Sequence, residues 1–188
     1  MMIQTEINGI PLVFETEPSL FSPAQIDRGT LAMLSALQLS PGEKLLDLGC
    51  GCGAVGIYAA KILGAENVVM SDIDPLALDY ARRSAARNDV AGVTLCQSDG
   101  LRDVKETGFT WILSNPPYHT DFSVAKHFIE KGFNRLCIGG KMLLVTKRRD
   151  WYKQKCIAVF GGVSIQEIDG YFVFTAEKRS TQYAAKKK

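Results

Sequence analysis

The stretch KLLDLGCGCGAVGIYAAKIL, residues 44–63, decides the fold of this chain. It opens with KLLDLG, whose apolar side chains are typical of a short strand buried on both faces. Glycines then interrupt the strand, and GAVGIYAAKIL (53–63) has the composition of a buried helix. A strand, a tight loop and a helix in this order begin a crossover unit, which predicts that the next strand pairs in parallel with the first.

Strand and helix patterns alternate along the rest of the chain. Further short strands are predicted at 67–73, 93–99, 109–115 and 141–147, and helices at 75–89, 121–136 and 150–160. Two alternating segments near the C-terminus are joined by Asp169-Gly170, a pair that favours a hairpin turn. The sequence therefore predicts a doubly wound, Rossmann-like α/β domain with a mostly parallel seven-stranded sheet and an antiparallel C-terminal hairpin.

The first 40 residues form a predicted layer of their own. Extended segments at 3–7 and 10–15 flank Asn8-Gly9, which favours a tight hairpin. Ser22 and Pro23 predict the start of a helix, with Ser22 as its N-cap. Its apolar face is expected to contain Ile26, Leu31, Leu34 and Leu37. We expect one domain over residues 1–188, with the hairpin and helix in 1–40, the α/β core in 41–180 and a basic tail in 181–188.

Composition restricts the class of protein. Of the 188 residues, 46% are hydrophobic and 22% are charged, which excludes a disordered chain, a collagen repeat and a coiled coil. No apolar run approaches the roughly 18 residues of a membrane span, and the first ten residues do not resemble a secretory signal. The five cysteines have no framework spacing, which fits a reducing compartment. We therefore expect a soluble, cytoplasmic protein.

Charged residues are unevenly distributed along the chain. The net charge is +2, but residues 1–140 carry 11 basic and 16 acidic side chains, whereas residues 141–188 carry 11 basic and 4 acidic ones. A basic C-terminal part points to an anionic partner such as nucleic acid. A solvated tail ending in three lysines accounts for the same numbers, so charge alone leaves both interpretations open.

The glycines after the first strand indicate where a ligand binds. Ligands of open α/β sheets lie at the carboxyl ends of the strands, near the point where the strand order reverses. The glycine loop matches the dinucleotide pattern G-x-G-x-x-G at Gly51, Gly53 and Gly56. It also matches D-x-G-x-G-x-G, beginning at Asp47, whose carboxylate would repel a pyrophosphate but suit a cation. The loop therefore favours S-adenosylmethionine (SAM), with its sulfonium and ammonium groups, over NAD.

Two aspartates end the second and third strands. Asp72 is placed to accept hydrogen bonds from ribose hydroxyls, because Asp74, directly before a proline, is the better cap for the next helix. Asp99 suits either an adenine amino group or the cap of the turn that follows, and both interpretations stay open. Cys50 and Cys52 form a C-x-C pair without nearby histidines, which is weak evidence for a metal site.

Asn115-Pro116-Pro117-Tyr118, after the fourth strand, is the most specific motif in the chain. Its prolines remove two N–H donors, and Pro116 forces Asn115 into an extended backbone conformation. The Asn115 side-chain carbonyl and the Pro116 carbonyl are then predicted to accept both hydrogen bonds of one planar amine, with Tyr118 stacking on its ring. Such acceptors hold a weakly nucleophilic nitrogen in line with an electrophilic methyl group. The motif thus predicts methylation of a base amine or a side-chain amide.

Together, DLGCGCG (47–53), SDIDP (71–75) and NPPY (115–118) resemble the motifs of class I SAM-dependent methyltransferases that act on nitrogen. FSPAQIDRGTLAML (21–34) and GYFVFTAEKR (170–179) narrow the resemblance to the "methyltransferase small" domain, the catalytic half of RsmC-like guanine-N2 methyltransferases of ribosomal RNA. The resemblance implies SAM as the cofactor. It also implies that SAM is bound by Asp47, Gly49, Gly51, Gly53, Asp72, Ile73, Asp99 and Asn115.

The same resemblance implies how the acceptor is held. The target amine would be bound by Asn115, Pro116, Pro117 and Tyr118, and the site would be closed by Phe21, Asp27 and Thr30. His119 is either a contact of the base or an ordinary loop histidine. Guanine N2 in ribosomal RNA is the implied acceptor, and Lys147-Arg148-Arg149 and Lys178-Arg179 are candidate phosphate contacts.

Alternative functions remain open on the sequence alone. Protein glutamine N5 and adenine N6 are alternative acceptors, because enzymes acting on both also carry NPPY. A non-catalytic or NAD-binding module is the alternative from another class. RsmC-like enzymes carry a second, related domain ahead of the catalytic one, so we expect docking on RNA to use other surfaces here, with the oligomeric state open between monomer and homodimer.

Overall fold

Strands and helices alternate throughout the computed structural model, which describes residues 1–117 and 121–186. The strands are β1 (Met2–Ile7), β2 (Ile10–Glu15), β3 (Leu45–Leu48), β4 (Val68–Asp72), β5 (Thr94–Gln97), β6 (Phe109–Ser114), β7 (Leu136–Thr146), β8 (Ser164–Ile168) and β9 (Tyr171–Glu177). The helices are α1 (Arg28–Ser35), α2 (Ala54–Leu63), α3 (Pro75–Arg87), α4 (Phe122–Arg135) and α5 (Arg149–Phe160).

Seven strands form one sheet in the order β5-β4-β3-β6-β7-β9-β8. The first five strands in this order form four parallel pairs, and β9 pairs antiparallel with both β7 and β8. The predicted fold class is therefore confirmed. The chain runs outward from β3 to β5 and then returns to place β6 on the other side of β3. The strand order reverses between β3 and β6, where a ligand site is expected.

Alternate residues of the central strands feed two separate cores. Leu45 of β3 belongs to the core beneath α1, α2 and α3, and Leu46 belongs to the core beneath α4 and α5. Both side chains are fully buried. A parallel strand covered by helices on both faces must be apolar at successive positions, which explains the unbroken apolar run around these residues.

The N-terminal hairpin forms a two-stranded sheet that closes the layer of α1 to α3. Asn8 and Gly9 have φ values of +49° and +81°, the left-handed conformations that a two-residue hairpin turn requires. The amide of Asn88, at the end of α3, is bonded to the backbone of β2: Val13 N–H donates to Asn88 Oδ1 over 3.1 Å, and Asn88 Nδ2 donates back to Val13 O over 2.6 Å. The hairpin is thus fastened to the main domain.

The start of the first helix was predicted wrongly. Helix α1 begins after Asp27, whose Oδ2 accepts a hydrogen bond from Thr30 N–H over 3.0 Å. Ser22 instead has φ +50°, and its hydroxyl donates to Gln25 O. The Ser22-Pro23 signal therefore opens an irregular turn, and Leu31, expected on the buried face, is partly exposed.

The fifth strand of the sheet was also predicted too short. Strand β7 begins at Leu136 rather than at residue 141, and its pairing with β6 shifts between Phe109 and Trp111. The glycines at 139 and 140 hid the first part of this strand, because an interior Gly-Gly is typical of a turn or bulge. Among the helices described, none combines the length and apolar character that crossing a bilayer demands.

Candidate functional site

A cavity of about 430 Å³ opens at the reversal point between β3 and β6. This volume is in the range of small-molecule sites. The glycine loop after β3, the ends of β4 and β6, the segment before α1 and the first half of α4 all contribute to its wall. The predicted site residues that line it are Asp47, Gly49, Gly51, Asp72, Ile73, Asp99, Asn115, Pro116 and Pro117, together with Phe21, Asp27 and Thr30, which were predicted to close the site.

Backbone N–H groups of the glycine loop hold the loop against the end of β4. Gly49 N–H and Cys50 N–H both donate to Ser71 O, over 2.9 and 3.0 Å, and Gly51 N–H donates to Asp72 Oδ2 over 2.8 Å. Gly51 has φ +53°, a conformation that costs glycine little because it lacks a Cβ. The ends of β3 and β4 are thereby joined before any ligand binds.

The later glycines of the motif stabilise the fold behind the loop. Gly53 is not among the residues that line the cavity; it has φ +93° and is the N-cap of α2. Gly56 N–H donates to Asp47 Oδ2 over 2.8 Å, and a Cβ on Gly56 would overlap the thioether of Met70. The G-x-G-x-x-G spacing therefore reflects close packing of α2 against β3 and β4 here.

Asp47 is a carboxyl group enclosed by protein. It is 2% exposed, yet it lines the cavity. Burial raises the pKa of Asp47 from 3.8 to about 7, although the hydrogen bond from Gly56 N–H lowers it and nearby Asp72 raises it. Burial opposes the charged form of a lone carboxylate. A cation next to Asp47 would favour that form.

The charges around the cavity select the kind of ligand. Four aspartates line it, Asp27, Asp47, Asp72 and Asp99, whereas none of the described lining residues is a lysine, arginine or histidine. Ser71 also lines it, and its Oγ is buried without a hydrogen-bond partner among the described residues. A pyrophosphate would meet repulsion here, because like charges repel strongly where water is excluded. A cation with hydrogen-bonding groups fits, and SAM is such a ligand.

Asp72 and Asp99 differ in how firmly they are held. Asp72 accepts from Gly51 N–H and, over 3.0 Å, from Asp74 N–H, and a carboxylate has lone pairs for further donors. Asp99 forms an exposed ion pair with Arg102 at the rim. The capping of the following turn belongs to Ser98, whose Oγ accepts from Asp103 N–H over 3.0 Å. The side chain that caps this turn is therefore that of Ser98 and not that of Asp99.

The cysteines of the loop lack the surroundings of a metal site. Burial raises the pKa of Cys50 well above its ordinary value and that of Cys52 to about 11, so both thiols are protonated at neutral pH. Within residues 1–117 and 121–186, no three His, Cys, Asp or Glu side chains come together to hold an ion. These cysteines serve as small side chains beside the loop.

The Asn115 side chain is held by two residues at the start of α1. Its Nδ2 donates to Asp27 Oδ2 over 2.8 Å and to Thr30 Oγ1 over 3.2 Å. A carboxylate can only accept, so the amide must face Asp27 with its NH2 group. The acceptor Oδ1 therefore occupies the opposite side of the amide. Asp27 and Thr30 also form the N-terminal cap of α1, so the clamp and the helix start are the same structure.

Other residues of the cavity wall escaped the sequence analysis. Gln25, Ser98, Val124 and Phe128 line it without having been singled out. Val124 and Phe128 are four residues apart on α4, a spacing that places both on one helix face, and this was the available signal. Tyr118 and His119 lie outside the described residues.

A doubly wound sheet with an acidic cavity at its reversal point defines a domain that binds a cationic nucleoside-type ligand. The family model of the methyltransferase small domain matches residues 11–175, and the chain belongs to this family. The predicted resemblance is confirmed.

Curated relatives share most of this chain but are longer. It is 31% identical over 173 residues to ribosomal RNA small subunit methyltransferase C of Pseudomonas putida, covering 89% of this chain and 52% of the relative. The Hahella chejuensis protein of the same name is 37% identical over 137 residues, covering 71% of this chain and 40% of the relative. The chain thus spans about half the length of the relatives it matches.

Solved structures share the architecture. The 16S rRNA N2 methyltransferase (RsmC) of T. thermophilus, in complex with AdoMet and guanosine, superimposes with a TM-score of 0.86 at 27% identity, covering 95% of this chain and 50% of that one. TrmN from Thermus thermophilus gives a TM-score of 0.68 at 25% identity, covering 80% of this chain and 48% of that one.

Proposed function

We propose that this chain is a SAM-dependent N-methyltransferase whose acceptor is the exocyclic N2 amine of a guanine in ribosomal RNA. The observation that carries the proposal is the clamp on Asn115. It fixes an amide acceptor at the carboxyl end of β6, in the wall of a cavity whose charged lining residues, within 1–117 and 121–186, are all acidic.

The residues on the β3 and β4 side hold the cofactor in this proposal. Asp47 and Asp72 supply negative charge, Ser71 Oγ supplies an unused hydroxyl, and exposed Ile73 offers an apolar surface. When bound, SAM supplies a methyl group on a positively charged sulfur. The glycine loop is already fixed by its bonds to Ser71 and Asp72, so little ordering is needed on binding.

Asn115 orients the acceptor. An exocyclic guanine amine is a weak nucleophile because its lone pair is delocalised into the ring. Accepting its N–H bonds at Asn115 Oδ1 and at the Pro116 carbonyl turns that lone pair toward the methyl carbon, and such positioning is worth several kcal/mol of the barrier. After the N–C bond forms, the nitrogen is cationic and releases its proton to solvent without a strong base.

Asp27 and Thr30 act as positioning residues. They contact the Asn115 amide and prevent it from turning. Gly29, between them, has no room for a side chain, because a Cβ would lie 2.9 Å from both Asp27 Oδ2 and Tyr171 Cε1. The segment that contains Asp27 and Thr30 therefore packs closely against Tyr171 of β9.

The choice of acceptor rests on the relatives. Curated relatives of this chain are named ribosomal RNA small subunit methyltransferase C, and the RsmC structure contains guanosine. Ribosomal RNA as substrate and the cytoplasm as location belong to the same proposal.

Transfer of radioactive methyl groups from SAM into cell extract, separated into RNA and protein, tests the proposal. We expect label in RNA and, after digestion, in N2-methylguanosine. The Asp27→Asn variant should lower this rate about tenfold while SAM affinity is retained, because a neutral amide no longer fixes the flip of Asn115. Asp74→Asn, at an exposed helix cap that does not line the cavity, is the matched control.

Other outcomes would overturn parts of the proposal. Label in protein would move the acceptor to a glutamine side chain and leave the role of Asn115 intact. Label in N6-methyladenosine would replace guanine as the target base. Binding of NADH without binding of SAM would reject methyl transfer altogether.

A further inference from the structure

Three side chains at the rim of the sheet form a stack that the proposed reaction does not use. The rings of Phe122 and Trp151 lie 4.4 Å apart at an interplanar angle of 12°. The guanidinium carbon of Arg148 lies over the Phe122 ring, 5.1 Å from its centroid. We call Arg148, Phe122 and Trp151 the Arg148 stack.

The Arg148 stack borders the acceptor side of the cavity. Ser114 at the end of β6 pairs with Leu144 of β7, so Arg148 follows β7 at the same sheet edge and one strand away from Asn115. Arg148 N–H donates to Thr146 Oγ1 over 3.1 Å, which holds it close to the strand end. Phe122 begins α4, and Val124, two residues later, lines the cavity.

The rim and the cavity carry opposite charges. Lys147, Arg148 and Arg149 are consecutive and exposed, and Lys147 Nζ lies 4.9 Å from the centroid of the Tyr171 ring. Asp150 is the neighbouring acid; it is 92% exposed at its side chain and forms a loose 3.4 Å pair with Arg149. A polyanion is therefore attracted to the rim and repelled by the four aspartates inside, whereas an uncharged base can enter.

The stack gives Arg148 a fixed direction. A guanidinium held over an aromatic ring is less mobile than an unsupported side chain, and its N–H donors all lie in one plane. Donors in one plane match two oxygens of a phosphate. Stacked arginine beside a base-binding pocket is thus suited to the sugar-phosphate backbone rather than to the base.

The second predicted phosphate contact does not share these features. Lys178 is buried, its Nζ donates to Leu136 O over 2.8 Å, and its ammonium lies over the Phe133 ring. Burial lowers the pKa of Lys178. The prediction that Lys178 contacts phosphate was therefore wrong, and Arg179 follows β9 at the opposite edge of the sheet, because Glu177 pairs with Lys141.

We propose that the Arg148 stack binds a backbone phosphate of the RNA next to the target nucleotide. This inference rests on the proposed function, since it assigns the surface by which that site receives RNA. A target base must leave its neighbours to reach Asn115, and a phosphate held on the rim fixes the strand while the base enters.

Binding of a fluorescent single-stranded RNA at several salt concentrations tests the inference. Arg148→Ala should weaken RNA binding about tenfold and reduce the slope of log K against log salt by about 0.7, the share of one phosphate contact on a single strand. Arg148→Lys should keep the slope and bind about threefold more weakly, because it keeps the charge but loses the planar donors. Arg179→Ala, an exposed arginine at the opposite edge, should match the wild type.

Kinetics separate this role from a structural one. Arg148→Ala should raise KM for RNA with kcat and SAM affinity unchanged. Arg148→Gln, which removes the charge but keeps a polar side chain with three carbon atoms, replaces it if the alanine variant does not fold. An unchanged salt slope and unchanged RNA affinity in the folded variant would overturn the inference while leaving methyl transfer to RNA intact. Label found only in protein, combined with the expected loss of RNA binding, would overturn the proposed acceptor instead.

Discussion

The two sides of the cavity are built in different ways. On the cofactor side, Asp47, Gly51, Gly56 and Asp72 are joined by hydrogen bonds between residues at most 21 positions apart. On the acceptor side, Asn115 is joined to Asp27 and Thr30 across 88 and 85 positions. The first is formed by one continuous strand-loop-helix-strand unit. The second exists only when the N-terminal segment has docked on the finished sheet.

This difference separates binding from chemistry. Changes on the cofactor side are expected to alter SAM affinity and stability together, because the loop bonds also join β3, α2 and β4. Changes on the acceptor side are expected to alter turnover with little effect on SAM affinity, because the bonds of the clamp join Asn115 to Asp27 and Thr30 rather than to the glycine loop.

Removal of the Asn115 amide is the largest expected effect and the direct test of that separation. Asn115→Ala should lower kcat for methyl transfer about 10³-fold, through lost positioning of the acceptor nitrogen, and leave SAM affinity within about twofold. Single-turnover kinetics and calorimetric titration with SAM measure the two quantities. Asn134→Ala, on the exposed end of α4, is the control. A parallel collapse of SAM affinity would show that Asn115 belongs to the cofactor side.

The same division decides how much could be predicted from the sequence. The sequence predicts the glycine loop together with Asp47 and Asp72, because the strand, the glycines and the carboxylates follow one another closely in the chain. Asp27 and Thr30 entered only through resemblance, since no local pattern connects them with Asn115. Ser22-Pro23 suggested a helix start five residues too early, because Ser22 and Asp27 are both residue types that favour an N-cap and the local sequence did not distinguish them.

Gly56→Ala should have the second largest effect and falls on the cofactor side. Its Cβ would overlap Met70 and press on Asp47 Oδ2 at 3.2 Å. We expect the free energy of unfolding to fall by about 1–3 kcal/mol, the cost of overpacking, and SAM affinity to fall with it. Denaturant unfolding with and without SAM measures both. Gly162→Ala, where a Cβ meets nothing within 4 Å, should be nearly neutral. If Gly56→Ala lowered turnover without changing stability or SAM affinity, the proposed separation between the two sides of the cavity would be wrong.

The pKa of Asp47 predicts a pH dependence of SAM binding. Burial raises this pKa from 3.8 to about 7, so at pH 6 only about a tenth of the carboxyl groups are ionised. A cation prefers the carboxylate, so SAM affinity should rise about tenfold between pH 6 and 8, with proton release near pH 7. Without SAM the sign is reversed: the contribution of Asp47 to stability is complete below pH 3.8 and is lost as the pH rises through about 7.

Calorimetry in buffers of different ionisation enthalpy measures the released proton. Asp47→Asn keeps an acceptor for Gly56 N–H but cannot titrate, so its SAM affinity should be lower and flat with pH. A wild-type affinity that does not change between pH 6 and 8 would mean that Asp47 stays neutral in the complex and contributes only its hydrogen bond.

Replacement of His127 is expected to have the smallest effect, because it removes one hydrogen bond. This residue connects the acceptor side of the cavity with the cofactor side. It lies on α4, whose Val124 and Phe128 line the cavity, and its Nε2 accepts from Leu101 N–H over 3.2 Å. It thereby supports the turn that contains Ser98 and Asp99. Only a neutral imidazole accepts this bond, and burial lowers the pKa of His127, so its contribution to stability is present above the ordinary value of 6.5 and is lost as the pH falls through the lowered one.

Replacing His127 therefore measures how far the acceptor side supports the cofactor side. His127→Leu should lower the free energy of unfolding by about 1 kcal/mol, the worth of one hydrogen bond, and weaken SAM binding about threefold. His127→Gln, which offers an acceptor oxygen, should recover most of both. If SAM affinity were unchanged in His127→Leu while stability fell, the turn that contains Ser98 and Asp99 would not need His127 to bind SAM. The cofactor side of the cavity would then bind SAM without support from the acceptor side.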